Sequence, residues 1–109
     1  MPNEHSGLKL LGSIIHKDIE TFANNDATPS VADGNIFKTA TGHTSARNVT
    51  RLDDADQGQI VVILGANNTY KTTIVDGLTM KINGDWVEAA ETTITLIFEG
   101  TNWYEISRR

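Results

Sequence analysis

Carboxylates are the side chains of this sequence that could most directly support catalysis. Glycoside hydrolysis needs two of them, about 5 to 9 Å apart, one with a raised pKa so that it can donate a proton. Four glutamates near the C-terminal end are candidates: Glu88, Glu91, Glu99 and Glu105. Nothing in their spacing enforces such a pair, and most exposed carboxylates have no catalytic role. We therefore expect surface charges at these positions and no enzymatic activity.

A cluster of aspartates could hold a cation. Asp53, Asp54 and Asp56 lie close together in the sequence, and spaced carboxylates can bind calcium through their oxygen atoms. Gly58 stands where a further acidic or amide ligand would be needed, and no glutamate lies near the twelfth position of such a loop. The cluster is therefore predicted to be a solvated turn, and no metal or cofactor is expected.

The segment from residue 65 to residue 72, GANNTYKT, has the outline of a phosphate-binding loop. Tyr70 replaces the second glycine of that motif, which the tight backbone turn around a phosphate requires. The residues that follow are β-branched and predict a short strand, whereas the motif needs a helix N-terminus to hold the anion. We interpret the segment as a polar connection between strands.

The remaining candidates for chemistry are single residues. The three histidines have no convincing second ligand nearby: His5, His16 and His43. Trp86, Trp103 and Tyr104 could stack on sugars. In a small β domain, large aromatic side chains more often fill a core or a subunit interface.

Composition limits what the chain can be. Its 109 residues carry a net charge of −5, which argues against binding to a nucleic-acid backbone. The longest apolar run, Ile60–Leu64, is far shorter than the roughly 20 residues of a membrane helix, and no secretory signal is visible. With 6% aromatic residues and no cysteine, the core is thin and cannot be reinforced by disulfides. Oligomerisation is one common remedy for such a core.

The elements that must position these residues are predicted to be strands. Apolar and β-branched residues alternate, or run together, in short segments separated by Gly, Asn and Asp. The segments lie at residues 36–40, 47–52, 58–66, 72–75, 78–82, 92–98 and 103–107. The strand around residues 60–64 is apolar on both faces, and the last two strands predict a hairpin with a four-residue loop. The pattern indicates an all-β fold, a small antiparallel β-sandwich or barrel-like domain.

Residues 1–26 differ from the rest and are predicted to form a separate arm. Their apolar residues could lie on one face of a short amphipathic helix or of an extended segment. Pro29, just beyond them, excludes a regular central strand at the junction. The predicted organisation is therefore an N-terminal docking arm, 1–26, and a β domain, 27–109.

The β domain resembles a known family through six short motifs. They are TPSV, GNIFKT, GQIVVILG, TTIVDG, MKING and TLIFEGTNWYEISR, which follow one another between residues 28 and 108. In order and spacing they resemble the trimeric β domains of tailed-phage tail fibres, tailspikes and head-fibre or decoration proteins. The last motif is the most specific, since a glycine turn, Asn-Trp-Tyr and a final strand end many such proteins.

The resemblance implies an intertwined homotrimer within a virion, assembled in the host cytoplasm. Because only a short arm precedes the β domain here, we expect a capsid decoration or head-fibre protein that binds the major capsid protein or another virion protein. The alternative is a tail-fibre or tailspike tip that binds a host receptor or glycan. Neither nucleic acid nor membrane is an expected partner.

Two sets of residues are predicted to carry these interactions. The trimer core and interface is assigned to Ile60, Val62, Leu64, Phe98, Trp103 and Tyr104. Capsid docking is assigned to the apolar residues of the arm, namely Leu8, Leu10, Leu11, Ile15 and Ile19.

Overall fold

The computed structural model describes residues 18–109 and contains nine β-strands and no α-helix in that range. In chain order they are β1 (Glu20–Thr21), β2 (Ile36–Lys38), β3 (Arg47–Val49), β4 (Ile60–Leu64), β5 (Thr72–Ile74), β6 (Met80–Lys81), β7 (Trp86–Val87), β8 (Thr93–Phe98) and β9 (Trp103–Arg108). No helix in this part of the chain is long and apolar enough to cross a membrane. The all-β prediction is confirmed.

The strands form two sheets around one core. Six strands pair in the order β1-β2-β4-β8-β9-β6, and three pair in the order β3-β5-β7. The core cluster draws residues from both sheets, for example Val61 and Ile63 from β4 and Val49, Ile74 and Trp86 from the smaller sheet. Burial of these side chains is the main term that holds the two sheets together.

The prediction of antiparallel sheets is wrong for much of the molecule. The pairs β1·β2, β2·β4, β3·β5 and β6·β9 are parallel, whereas β4·β8, β5·β7 and β8·β9 are antiparallel. The reason is that the chain alternates between the sheets from β2 to β5. Ile36 comes to lie opposite Val62, and Arg47 opposite Thr72, so that this region winds as two coils of a solenoid.

Strand β4 lies in the middle of the larger sheet and has two different faces. Val61 and Ile63 are fully buried, whereas Ile60, Val62 and Leu64 point to the opposite side and are partly exposed. The sequence predicts burial on both faces. Within one chain, only the inner face is covered.

The hairpin prediction is confirmed. Strands β8 and β9 pair from Ile94 to Phe98, and the Glu99 N–H donates to the Asn102 carbonyl at 3.0 Å to close the loop. Gly100 has a φ of 117° in that loop, a conformation that side chains with a Cβ rarely adopt. The Phe98 and Trp103 rings meet across the hairpin with their centroids 5.0 Å apart.

Two local predictions need correction. Leu78 begins the predicted strand 78–82, in which it alternates with Met80 and Ile82, but it is 82% exposed with a φ of 48°. The cause is a tight turn, in which Gly77 and Met80 exchange both backbone hydrogen bonds. The second correction is strand β7, which the sequence pattern did not predict because only two residues pair.

Part of the predicted arm is paired with the β domain. Strand β1 lies parallel to β2, and the buried Phe22 ring stacks on Phe37 at a centroid distance of 5.2 Å. This segment is extended rather than helical. The boundary after residue 26 stays a prediction, and most of the arm lies outside the described residues.

Candidate functional site

Six apolar side chains lie on the side of the larger sheet that faces away from the core, where they share the surface with Lys38, Thr93 and Thr95. Cross-strand pairs place Ile60 beside Ile97 and Ile97 beside Tyr104, and in the next row Ile36 beside Val62. Paired residues project to the same side of a sheet. We call this surface the outer face and define it by Ile36, Ile60, Val62, Leu64, Ile97 and Tyr104.

The outer face is costly to leave in water. Ile60 is 44% and Tyr104 43% exposed, and the other four members are partly exposed. Full burial of one large apolar side chain is worth about 1.5–3 kcal/mol. Contiguous apolar surface of this kind marks a contact with another molecule, whereas single exposed apolar residues do not.

The described residues include a buried carboxylate, that of Glu88, which is held by hydrogen bonds. Glu88 is 1% exposed and accepts hydrogen bonds from the Thr72 N–H at 2.8 Å, Asn68 Nδ2 at 2.9 Å and Thr39 Oγ1 at 3.2 Å. These donors satisfy a group that would otherwise be very costly to bury. The expectation that Glu88 is a surface charge is wrong. Alternation along β7 is the missed signal, because Glu88 follows Trp86 by two residues and shares its inward side.

His43 extends this polar cluster and is also buried. The Asn25 N–H donates to its Nδ1 at 2.8 Å, so Nδ1 carries no proton. The hydrogen is therefore on Nε2, which lies 2.8 Å from Thr72 Oγ1 and donates to it. With both ring nitrogens engaged, His43 holds the loop after β2 against strand β5.

A polar cleft opens beside this cluster. It has a volume of about 350 Å³ and lies between the loop that follows β2 and the loop that follows β4. Its lining consists of hydroxyl, amide, imidazole and phenol groups from Thr41, His43, Asn67, Asn68, Thr69 and Tyr70. Asn68 joins the two loops, since its Nδ2 also donates to the Ala40 carbonyl at 2.7 Å.

Comparison with known proteins identifies the fold. A model of the phage depolymerase C-terminal beta sandwich domain matches residues 20–104. The chain belongs to this family. The match begins with strand β1 and runs into β9. No curated protein and no solved structure matches the chain.

Membership of the depolymerase domain family confirms the predicted resemblance and the β-sandwich architecture. It makes the chain a phage virion component of the tail, and it favours the tail-fibre or tailspike alternative over capsid decoration. The capsid prediction depended on the shortness of the arm. The family match depends on the sequence of the β domain and carries more weight.

The structure separates the residues predicted for the trimer core and interface. Ile60, Val62, Leu64 and Tyr104 lie on the outer face. Phe98 packs against the core, and Trp103 is fully buried, with its Nε1 donating to the Leu52 carbonyl at 3.3 Å. Sequence reasoning missed Ile36 and Ile97, whose place on the outer face depends on the strand pairing.

The docking residues lie mostly beyond the described part of the β-sandwich domain. Leu8, Leu10, Leu11 and Ile15 fall outside residues 18–109. Ile19 is described and is 54% exposed immediately before β1. Docking through this segment stays a prediction.

Two of the other three candidate acids are engaged in structural roles. Glu99 accepts from the Asn102 N–H in the hairpin loop at 2.8 Å. Glu105 forms a two-pronged ion pair with Arg108, both bonds measuring 2.7 Å, and accepts from the Asn83 N–H at 2.8 Å. The hydrogen bond from Arg108 lowers the pKa of Glu105, which disqualifies it as a proton donor near neutral pH.

The acidic turn and the loop from residue 65 are the remaining candidates. Asp53 is paired with Arg51 at 2.6 Å, and within residues 18–109 no group of three acidic or histidine side chains could hold a metal ion. The loop from residue 65 ends in strand β5 rather than a helix. It therefore lacks the helix N-terminus that a phosphate-binding loop provides.

Proposed function

We propose that this β-sandwich domain is a homotrimeric structural part of a phage tail appendage and that its subunits associate through the outer face. The observation that carries the proposal is the apolar stripe of Ile60, Val62 and Leu64 along β4, which Ile36, Ile97 and Tyr104 extend onto the neighbouring strands. A domain that leaves this surface in water loses stabilisation that its thin core does not replace.

Charge supports a second copy of the chain as the partner. The chain carries a net charge of −5, yet none of the paired residues on the outward side of the sheet is a carboxylate. Lys38 and Lys81 lie at its margins. Identical acidic proteins can therefore approach through this surface without bringing their carboxylates together. A closed cyclic arrangement satisfies the same surface on every subunit.

The mass in solution tests this proposal. Light scattering should give three times the 11.9 kDa of one chain. Val62→Lys should shift the mass towards one chain, because it places a charge in the middle of the outer face. Val87→Lys is the matched control, since Val87 is 53% exposed on the smaller sheet, and it should stay trimeric. A Val62→Lys protein that keeps the trimer mass would remove the outer face from the interface.

We propose that the domain has no hydrolytic role of its own and contacts host glycan. Three of the four candidate acids are held by the fold, Glu88 in the buried cluster, Glu99 in the hairpin loop and Glu105 by Arg108. Incubation with capsular polysaccharide should release no reducing ends. Turnover that is abolished by a single glutamate-to-glutamine change would contradict this part of the proposal.

Attachment to the rest of the virion is proposed to use the segment from Leu8 to Ile19. The exposure of Ile19 next to β1 supports this, since it leaves an apolar side chain available at the start of the domain. The protein that lacks residues 1–17 should still be a trimer, with three times the mass of the shortened chain. The truncated protein should lose incorporation into virions, and normal incorporation would contradict the assignment.

A further inference from the structure

We propose that the polar cleft between the loops after β2 and β4 binds one uncharged sugar ring of a host surface polysaccharide. This deepens the proposed contact with host glycan and rests on it. The cleft of about 350 Å³ falls within the size range of small-molecule sites, about 300–1,000 Å³.

The chemistry of the lining fits a sugar. Tyr70 is 47% exposed and offers an aromatic face and a hydroxyl group at the cleft. Thr41, Asn67 and Thr69 are exposed at the cleft, so the donors and acceptors of their side chains are accessible to a ligand. An aromatic ring beside a set of amides and hydroxyls matches the apolar face and the hydroxyl rim of a pyranose.

The cleft favours a neutral ligand over an acidic one. None of its lining residues is a lysine or arginine that could neutralise a carboxylate or sulfate. Directly behind Asn68 lies the Glu88 carboxylate, whose three hydrogen-bond partners all act as donors. An anionic sugar would therefore meet a second acidic group directly behind the lining of the cleft.

The two loops are fixed before any ligand arrives. Asn68 ties them together through the Ala40 carbonyl and Glu88, and the Ala66 N–H donates to Thr39 Oγ1 at 2.9 Å. Glu88 is thus a positioning residue. A cleft held in this way loses little conformational entropy on binding.

The test is a titration of ¹⁵N-labelled full-length protein with the methyl glycosides of glucose, galactose, rhamnose and N-acetylglucosamine, and with glucuronate as the charged comparison. At least one neutral sugar should shift the amide signals of Thr41 and of residues 67–70. Tyr70→Ala should weaken that binding by on the order of tenfold or more. Tyr104→Ala is the matched control, because Tyr104 is 43% exposed on the outer face, and binding should persist in it.

Three results would overturn the proposal: no response to any neutral sugar, stronger binding of glucuronate at the same signals, or equal loss in the two tyrosine variants. The amide spectrum of each variant also reports whether it is folded. The mass of Tyr70→Ala separates this inference from the proposed trimer, since the cleft lies within one chain. A trimeric Tyr70→Ala protein that has lost sugar binding supports both, whereas a monomeric wild type that still binds sugar overturns only the trimer.

Discussion

The region from β1 to β5 and the hairpin of β8 and β9 build the same sandwich in different ways. The first region winds in coils, and its parallel strands are separated by long crossing loops. The hairpin pairs neighbouring strands through a four-residue loop and a backbone ladder. Parallel pairing requires long connections, whose own backbone groups must find partners elsewhere.

Side chains supply those partners in the coiled region. Asn24 Oδ1 accepts from the Gly42 N–H, Asn25 Oδ1 accepts from the Thr44 N–H, and Gln59 Nε2 donates to the Val31 and Gly34 carbonyls. The buried Glu88 does the same for the loops around the cleft. The coiled region should therefore be sensitive to loss of polar side chains, and the hairpin to loss of apolar ones.

The largest effect is expected from Trp103→Ala. Trp103 is fully buried, packs on Phe98 and reaches the Leu52 carbonyl, so it joins the hairpin to the coiled region. The substitution should lower the free energy of unfolding by about 3–5 kcal/mol. Urea unfolding at fixed protein concentration measures it, with Thr101→Ala in the exposed hairpin loop as the control. A loss below 1 kcal/mol, on the order of the effect of a surface substitution, would contradict the idea that the hairpin depends on its apolar side chains.

Glu88→Gln comes next and tests the coiled region. The change preserves shape but replaces one acceptor with a donor that faces donors from Thr39, Asn68 and Thr72. It should cost about 2 kcal/mol of unfolding free energy, because at least one buried donor loses its partner. Glu91→Gln, at an exposed position nearby, should change stability little. Equal effects of the two changes would show that Glu88 does not organise the loops.

Gly65→Ala probes the closeness of packing where β4 leaves the sheet. A Cβ at residue 65 would collide with the Ala89 carbonyl oxygen and would lie 2.5 Å from Thr92 Oγ1. Because a backbone atom cannot move aside like a side chain, the expected cost is about 1–3 kcal/mol. Thermal unfolding of this variant beside Asn67→Ala, in the same loop, measures it. A melting temperature equal to that of wild type would contradict the close approach.

The smallest effect concerns the ion pair of the hairpin strand. Arg108 holds Glu105 and also donates to the Gly84 carbonyl at 2.8 Å, so Arg108→Gln should cost about 1 kcal/mol at neutral pH. The folded-state pKa of Glu105 is lowered from 4.5, mainly by the Arg108 hydrogen bond. Its contribution is therefore present above pH 4.5 and is lost as pH falls through the lowered value. Urea unfolding across this pH range should show that the difference in unfolding free energy between variant and wild type shrinks on acidification. A difference that stays constant would show that the Glu105–Arg108 ion pair does not contribute to stability.

The hairpin could be predicted from the sequence, and the coiled region only in part. Ile94, Leu96 and Phe98 alternate, and the glycine turn is local, so the pairing of β8 with β9 follows from neighbouring residues. The parallel register of Ile36 with Val62 depends on the path of the chain between β2 and β4. That path cannot be derived from the types of the residues alone. Glu88 was misassigned because burial of a carboxylate depends on donors from two distant loops.

The exposure of Ile60 in the assembled protein tests the proposed interface most directly. The chain has no cysteine, so Ile60→Cys and Val87→Cys each introduce a single thiol. Their native side chains are 44% and 53% exposed within one chain, and in a monomer both thiols should react with a maleimide at similar rates. If the outer face joins the subunits, Ile60→Cys should react at least tenfold more slowly at concentrations where the trimer forms, on the order of 1.4 kcal/mol of protection. Equal rates at every concentration would show that the outer face stays open to water and would contradict the trimer.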